Sequence, residues 1–340
     1  MEFPSAFALP NVVQTGLSAR VAFFQADGHC NDLDVADRLR MMEEQVASAA
    51  SKGCHLVMFP ECFAQGYPDP AASEEQLRSK LEKLVAEGRS TAEWIHGLAA
   101  KYSCFILYGH IDSSSKERDG NISRAKLFNS ATLVDETGLT VMSYNKLHTG
   151  SWHPEGLFER GQDLPPIFQF RGITTAVVIC YDMYFPELTR HLKKGGVQLL
   201  FVIWASSGPG VVEAMSLARA LENEIAIVSV DYAAPYEGGS CYVDDAGMVV
   251  RRLDKSTVSL EVVDVEIHDV RGSGRTWDPI NDLHLHFRSP LSAVASLHGA
   301  YLLVRRCFPL PAFALIATCA VMASQCSRVF KIARASFVHK

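Results

Sequence analysis

The sequence predicts an α/β protein in which helices pack over β-sheets. Short apolar runs typical of buried strands alternate with segments whose apolar residues recur every three or four positions, the spacing of an amphipathic helix. Hydrophobic residues make up 48% of the 340 residues and charged residues 21%, which is the composition of a globular chain with a packed core. Regular alternation of the two patterns favours helices layered over sheets.

The first half of the chain is predicted to contain four strands and three helices. The first helix begins near Val35, since Val35, Leu39 and Met42 lie on one face, and it ends at Gly53. Residues 56–59 are all apolar, as in a strand buried on both faces. The predicted strands are 20–25, 56–59, 105–109 and 130–134, and the later helices are 75–87 and 90–101, the last with Ser90 as its N-cap.

The second half of the chain is predicted to begin with an irregular stretch at 148–166, after which strands and helices alternate again. Strands are expected at 174–179, 198–203, 225–230, 240–243, 248–252 and 259–265, and helices at 186–194 and 211–224. The sequence has neither a GxGxxG nor a GxxxxGK phosphate loop, so nucleotide chemistry is not supported.

Charge and cysteine content exclude several function classes. The net charge of −6 comes from 32 basic and 38 acidic residues, so no global basic field exists to bind nucleic acid. Nine cysteines without a CxxC pair do not fit a disulfide scaffold or a zinc module. We therefore expect a reducing compartment, the cytoplasm, and the first residues lack the pattern of a signal peptide.

The C-terminal residues 284–340 differ from the rest of the chain. They contain seven basic residues and no acidic one, and the run 307–323 is nearly all apolar. That run has about the minimum length of a bilayer span, which needs roughly 17–25 residues. Three interpretations stay open: a tail anchor that contacts a membrane, a buried helix of the domain, and translated non-native sequence. The predicted organisation is a leader at 1–18, a main domain at 19–283 and this tail.

Reactive residues follow two of the predicted buried strands. Glu61 follows the strand at 56–59, and Cys180 follows the strand at 174–179. Ligand sites of α/β sheets are built at the carboxyl ends of strands. Glu61 could take the thiol proton of Cys180 without any histidine, and the turn after Cys180 could bind an oxyanion. Lys146, also at a strand end, could stabilise the same negative charge.

Each of these residues also has an ordinary structural explanation. A cysteine at a strand end is often a small buried apolar residue, a glutamate after proline a solvated loop charge, and a lysine a surface charge. Spacing alone leaves both interpretations open.

Several segments resemble, in the same order, those of the nitrilase or carbon–nitrogen hydrolase superfamily. The similarity extends over about residues 19–280. It implies a four-layer α-β-β-α sandwich that forms a homodimer or a higher homo-oligomer. The matching segments are 21–25, 53–61 followed by Gly66-Tyr67-Pro68, 144–148, 179–187, 218–223 and 239–247.

The resemblance also implies roles for individual residues. Cys180 corresponds to the nucleophile, Glu61 to the general base and Lys146 to the cation that stabilises the oxyanion. The Tyr181 backbone N–H corresponds to a second oxyanion donor. A second glutamate of the family positions the substrate, and Glu155 matches it best, with Glu159 as the alternative. The resemblance implies no metal and no organic cofactor.

The substrate is predicted to be a small amide or carbamoyl compound. Tyr181 and Asp182 follow the cysteine where nitrilases typically have Trp-Glu, although the segment after the predicted base is also seen in nitrilases. A nitrile is therefore one alternative, and a catalytically inactive binding or scaffold member of the family is another. Phe63, Tyr184 and Trp204 are predicted pocket walls, which would favour a compact, largely apolar acyl group.

Overall fold

The computed structural model describes residues 16–69, 73, 75, 91–113, 126–151 and 155–268. Residues 1–15 of the predicted leader at 1–18, almost all of the predicted helix at 75–87, the predicted N-cap Ser90, residues 269–283 of the main domain and the whole tail at 284–340 lie outside the described residues. The three interpretations of the tail therefore stay open. Within the described ranges, none of the helices is both long enough and apolar enough to cross a membrane.

The described strands form two six-stranded sheets. The first sheet has the order β12-β1-β2-β3-β4-β5 and the second β11-β10-β9-β8-β7-β6. The strands are β1 (Leu17–Gln25), β2 (Leu56–Met58), β3 (Phe105–Ser113), β4 (Leu127–Val134), β5 (Thr140–Asn145), β6 (Phe168–Phe170), β7 (Ile173–Ile179), β8 (Leu199–Ile203), β9 (Ala226–Val230), β10 (Cys241–Val243), β11 (Val249–Arg252) and β12 (Ser259–Ile267).

Each sheet has a parallel centre and antiparallel edges. Strands β1, β2 and β3 are parallel to one another, as are β7, β8 and β9. The remaining neighbours are antiparallel. The central parallel strands are buried on both faces, which explains their continuous apolar sequences.

Helices cover the outer face of each sheet. The helices are α1 (Val35–Ser51), α2, of which residues 91–102 are described, α3 (Pro186–Lys194) and α4 (Val211–Asn223). Side chains alternate along each strand. Val21 and Phe23 of β1 pack against the second sheet, whereas Ala22 and Phe24 pack in the layer that contains α1 and α2. The second sheet packs in the same way against α3 and α4. The predicted four-layer α-β-β-α sandwich is confirmed.

The structure adds two strands to the predicted set. The sequence indicated a strand end before Lys146 without giving bounds for β5, and it assigned no strand to the three residues of β6. In β5, apolar and polar residues alternate because one face is buried and the other is not. In β6, three residues are too few to establish a period.

Gly109 of β3 lies against the backbone of the loop that carries Glu61. Its N–H donates to the Pro60 carbonyl at 3.2 Å, and its carbonyl accepts from the Ala64 N–H at 3.1 Å. A Cβ atom added at Gly109 would lie 2.4 Å from the Cys62 nitrogen and 2.7 Å from the Glu61 Cα. Only glycine therefore allows the loop to approach β3 this closely.

We expect Gly109→Ala to destabilise the protein by about 1–3 kcal/mol, because the added methyl group overpacks a contact between two backbones. Gly97→Ala is the matched control, since Gly97 is an exposed glycine of α2 with no atom within 4 Å of an added Cβ. Gly97→Ala should raise stability by up to about 1 kcal/mol through helix propensity. Urea unfolding measures both variants, and equal effects would contradict the packing argument.

Candidate active site

The three predicted catalytic residues follow strands β2, β5 and β7. Glu61 lies three residues after β2, and Lys146 and Cys180 each come directly after the last residue of β5 and β7. Strand β5 is antiparallel to β4, which is antiparallel to β3, so β5 runs in the direction of β2 and β3. Glu61 and Lys146 therefore lie at the same edge of the first sheet.

Glu61 and Lys146 form a buried ion pair. The Lys146 Nζ donates to Glu61 Oε1 at 2.7 Å, and the two side chains are 1% and 0% exposed. The backbone of Glu61 is held on both sides, because its N–H donates to the Trp204 carbonyl at 3.2 Å and its carbonyl accepts from the Tyr232 hydroxyl at 2.8 Å. Removing one partner of such a pair would leave the other charge buried and uncompensated.

Asn129 of β4 contacts both members of this pair. Its Nδ2 donates to Glu61 Oε1 at 2.6 Å, and its backbone carbonyl accepts from the Lys146 N–H at 2.8 Å. The Cys62 thiol lies 3.6 Å from Asn129 Oδ1 and donates to it. The sequence analysis missed Asn129. The sequence signal that could have revealed it is an amide directly after the apolar pair Leu127-Phe128, and the structure shows that amide fully buried at the start of β4.

Cys180 occupies a strained turn directly after β7. It is the first residue of the 3-10 helix Cys180–Tyr184, and its φ of +43° lies in the left-handed region that residues other than glycine rarely adopt. The side chain is half-buried, whereas the five other described cysteines are buried. A strained conformation of this kind is typical of functional sites, and here it places the thiol at the sheet edge.

A single buried carboxylate connects the turn of Cys180 to the strand end that carries Lys146. Asp182 Oδ2 accepts from the Tyr144 hydroxyl at 2.8 Å and from the Ile179 N–H at 3.1 Å. Asp182 Oδ1 accepts from the His148 N–H at 3.0 Å and lies 2.9 Å from His148 Nδ1. Tyr144 and His148 flank Lys146 in sequence, so these contacts fix the position of the turn relative to the lysine.

A second buried carboxyl group supports the segment that follows β9. Asp231 Oδ1 accepts from the Ser206 N–H at 3.1 Å and from the Tyr232 N–H at 2.8 Å. Burial raises the pKa of Asp231 well above its usual range, and the nearby negative charge of Glu61 raises it further. Asp231 thus holds Tyr232, whose hydroxyl donates to the Glu61 carbonyl.

The predicted pocket residues lie in different environments. Tyr184 is 41% exposed, and burial of the phenol together with the charge of Cys180 raises the pKa of Tyr184. Phe63 is fully buried in the layer containing α1 and α2, with its ring centre 5.0 Å from that of Phe59. Trp204 is fully buried beneath α3 and α4. Phe63 and Trp204 are therefore core residues.

The remaining predicted residues follow the nucleophile and β5. The Tyr181 ring lies 5.1 Å from that of Tyr184, and its backbone N–H belongs to the turn that begins at Cys180. Glu155 begins the short 3-10 helix Glu155–Leu157. The Glu159 carboxylate is exposed and lies 4.0 Å from Lys126, so its environment is that of a surface ion pair.

The sequence matches a known family over most of this structure. The model of the carbon–nitrogen hydrolase family matches residues 20–274, which contain every described strand from β2 to β12 and all three predicted catalytic residues. The chain therefore belongs to the carbon–nitrogen hydrolase family, within the nitrilase superfamily.

Individual relatives include both amidases and nitrilases. The deaminated glutathione amidase of Synechocystis sp. is 27% identical over 221 residues, or 62% of this chain and 75% of that protein. A nitrilase of Pyrococcus abyssi is 26% identical over 251 residues, or 72% of this chain and 88% of that protein. A mutant of the amidase from Nesterenkonia sp. AN1, whose structure shows the result of Michael addition of acrylamide at the active-site cysteine, has a TM-score of 0.62. Its identity to this chain is 24%, and the match covers 83% of this chain and 99% of that one.

We expect Tyr144→Phe to lower stability by about 1–3 kcal/mol, because it removes a donor to the buried Asp182 and the acceptor of the Leu147 N–H. Burial and the negative charge of Asp182 raise the pKa of Tyr144, so the hydroxyl remains a donor at all working pH values. The matched control is Tyr102→Phe, whose hydroxyl donates to Glu43 near the surface. Thermal unfolding compares the two, and an equal loss would contradict a special role for Tyr144.

Proposed function

We propose that this protein hydrolyses the C–N bond of a small amide or carbamoyl compound through a cysteine thioester and releases ammonia or an amine. The buried pair of Glu61 and Lys146, connected through Asp182 contacts to the strained turn of Cys180, is the observation that carries the proposal. The arrangement supplies a base, a cation and a nucleophile.

The proposed reaction has two halves. Glu61 takes the thiol proton, and the Cys180 thiolate attacks the carbonyl carbon of the amide. Lys146 and the Tyr181 N–H stabilise the tetrahedral oxyanion, which collapses as Glu61 returns its proton to the leaving nitrogen. Glu61 then takes a proton from water, the hydroxide attacks the thioester, and the acid leaves as the proton returns to the sulfur.

Lys146 serves both the base and the oxyanion in this scheme. An ammonium group donates up to three hydrogen bonds, so a bond to Glu61 is compatible with a bond to the substrate oxygen. Its positive charge also stabilises the ionised form of Glu61, which is the form that accepts a proton. The residues therefore supply acid–base chemistry without histidine.

Amide rather than nitrile hydrolysis is supported by two observations. The cysteine is followed by Tyr181 and Asp182, and relatives of this chain include a deaminated glutathione amidase and a 2-oxoglutaramate amidase from Bacillus subtilis. Hydrolysis of a nitrile is the second candidate, since another relative is named a nitrilase. In the proposal Tyr184 borders the substrate, Glu155 positions it, and the enzyme acts as a cytoplasmic homodimer.

The reaction class is tested by measuring ammonia release from amides, carbamoyl compounds and nitriles. We expect turnover with an amide, and loss of at least about 100-fold in both Cys180→Ala and Glu61→Gln, because one lacks the nucleophile and the other cannot take a proton. Cys241→Ala, which alters a buried cysteine of β10, is the control and should keep turnover. Turnover by Cys180→Ala would contradict the proposal.

Selective alkylation distinguishes an enzyme from an inactive scaffold. Iodoacetamide reacts with thiolates, and burial raises the pKa of Cys30, Cys104 and Cys241 to about 12, so these thiols stay protonated at pH 8. We expect Cys180 to be labelled first among the described cysteines, and Glu61→Gln to slow that labelling. Peptide mass mapping measures both, and labelling of Cys180 at the same rate in both proteins would favour the scaffold.

A further inference from the structure

Two N–H donors converge on one oxygen of the Glu61 carboxylate. Lys146 Nζ lies 2.7 Å from Glu61 Oε1, and Asn129 Nδ2 lies 2.6 Å from the same atom. An ammonium and an amide NH₂ can only donate. Both distances are as short as charge-assisted N–H···O⁻ bonds become. Oε1 therefore carries the negative charge that these donors solvate.

The orientation of the Asn129 amide is set by its other contacts. The Cys62 thiol donates to Asn129 Oδ1, which directs Nδ2 towards Glu61. The reversed amide would place its carbonyl oxygen against the carboxylate, where neither atom can donate. The side chain is fully buried on β4, and the backbone carbonyl binds the Lys146 N–H. Asn129 thus holds both members of the ion pair from one rigid strand.

We propose that Asn129 is a positioning residue that reserves Glu61 Oε1 for hydrogen bonding and makes Oε2 the oxygen that carries the proton. The inference rests on the proposed function. In the first step the S–H bond of Cys180 breaks, its electron pair stays on sulfur and an O–H bond forms at Oε2. That O–H bond breaks when the N–H bond to the leaving nitrogen forms. Protonation at Oε1 would instead displace one of two donors into a buried site, at the cost of an unsatisfied group.

The same geometry determines how the reaction depends on pH. The charged and titratable groups near Glu61 are Lys146 beside it, Asp231, Tyr232 and Tyr236 from the segment after β9, and the thiol of Cys62. Asn129 is the neutral donor among them. A hydrogen bond to an ionised carboxylate favours the ionised form. Loss of this donor favours protonated Glu61, which cannot act as a base, so activity should need a higher pH.

The test is the pH profile of kcat/KM for Asn129→Leu, which keeps the branched shape and removes the donor. We expect kcat to fall about 10- to 100-fold, the range for losing one hydrogen bond to a charged group, with KM changed by less than about threefold. The acid limb of the profile should move to higher pH. The matched control is Asn223→Leu, a fully buried asparagine of α4 whose Nδ2 donates to the Arg219 carbonyl at 2.9 Å. This control should leave the acid limb in place.

If Asn129→Leu does not fold, a second pair of variants tests the positioning role of Asn129. Cys62→Ala removes the thiol donor to Asn129 Oδ1 and should lower kcat about two- to fivefold, as expected for one weak neutral hydrogen bond. Cys62→Ser keeps a donor and should restore the wild-type rate and acid limb. Equal kinetics for the alanine and serine variants would overturn the proposal.

The outcomes separate this inference from the proposed function. If Asn129→Leu keeps kcat and the acid limb of the wild type while Cys180→Ala and Glu61→Gln are inactive, the role of Asn129 is refuted and the hydrolysis mechanism stands. If Cys180→Ala retains turnover, the mechanism itself is refuted. If the acid limb moves equally in Asn129→Leu and Asn223→Leu, the shift reflects general destabilisation. That result would also refute the positioning role of Asn129.

Discussion

A buried ion pair places the strictest requirement on this structure. Removing a carboxylate and an ammonium from water costs several kcal/mol for each ion, and direct attraction offsets this only with good geometry and further hydrogen bonds. Glu61 and Lys146 follow strands β2 and β5 of one sheet, with β3 and β4 between them. The intervening strands help to meet the requirement. Gly109 of β3 admits the Glu61 loop, and Asn129 of β4 donates to the Glu61 carboxylate and accepts from the Lys146 backbone N–H.

The second sheet carries Cys180, the proposed nucleophile, so the proposed chemistry depends on how two separate sheets are aligned. Their shared apolar layer provides strong but non-directional attraction. The directional contacts at the site are those of Asp182. Its carboxylate accepts hydrogen bonds from Tyr144 and His148, at the β5 end of the first sheet, and from Ile179 of β7. Apolar packing therefore holds the sheets together, and one polar contact set fixes the position of Cys180 relative to Lys146.

Local sequence patterns predicted the α/β class and the strand ends that carry Glu61, Lys146 and Cys180, because periodicity and strand termini are local properties. The four-layer arrangement was predicted from the resemblance to the family. Asn129 and Asp182 were missed because their partners are distant in sequence: Asn129 and Glu61 are 68 residues apart, and Asp182 and Tyr144 are 38 apart. The orientation of Trp204 could have been predicted from the sequence. Leu200, Val202 and Trp204 share one phase of the strand alternation and face the helices, whereas Leu199, Phe201 and Ile203 face the other sheet.

The Asp182 contacts also constrain how such an enzyme can evolve. A glutamate at position 182 is one methylene longer, so its carboxylate cannot receive the hydroxyl of Tyr144, the N–H of Ile179 and both His148 donors in their present positions. Replacing the Tyr-Asp that follows Cys180 by Trp-Glu would therefore also require changes at positions 144 and 148. By the same argument, a change between the two patterns would take several coordinated substitutions rather than one.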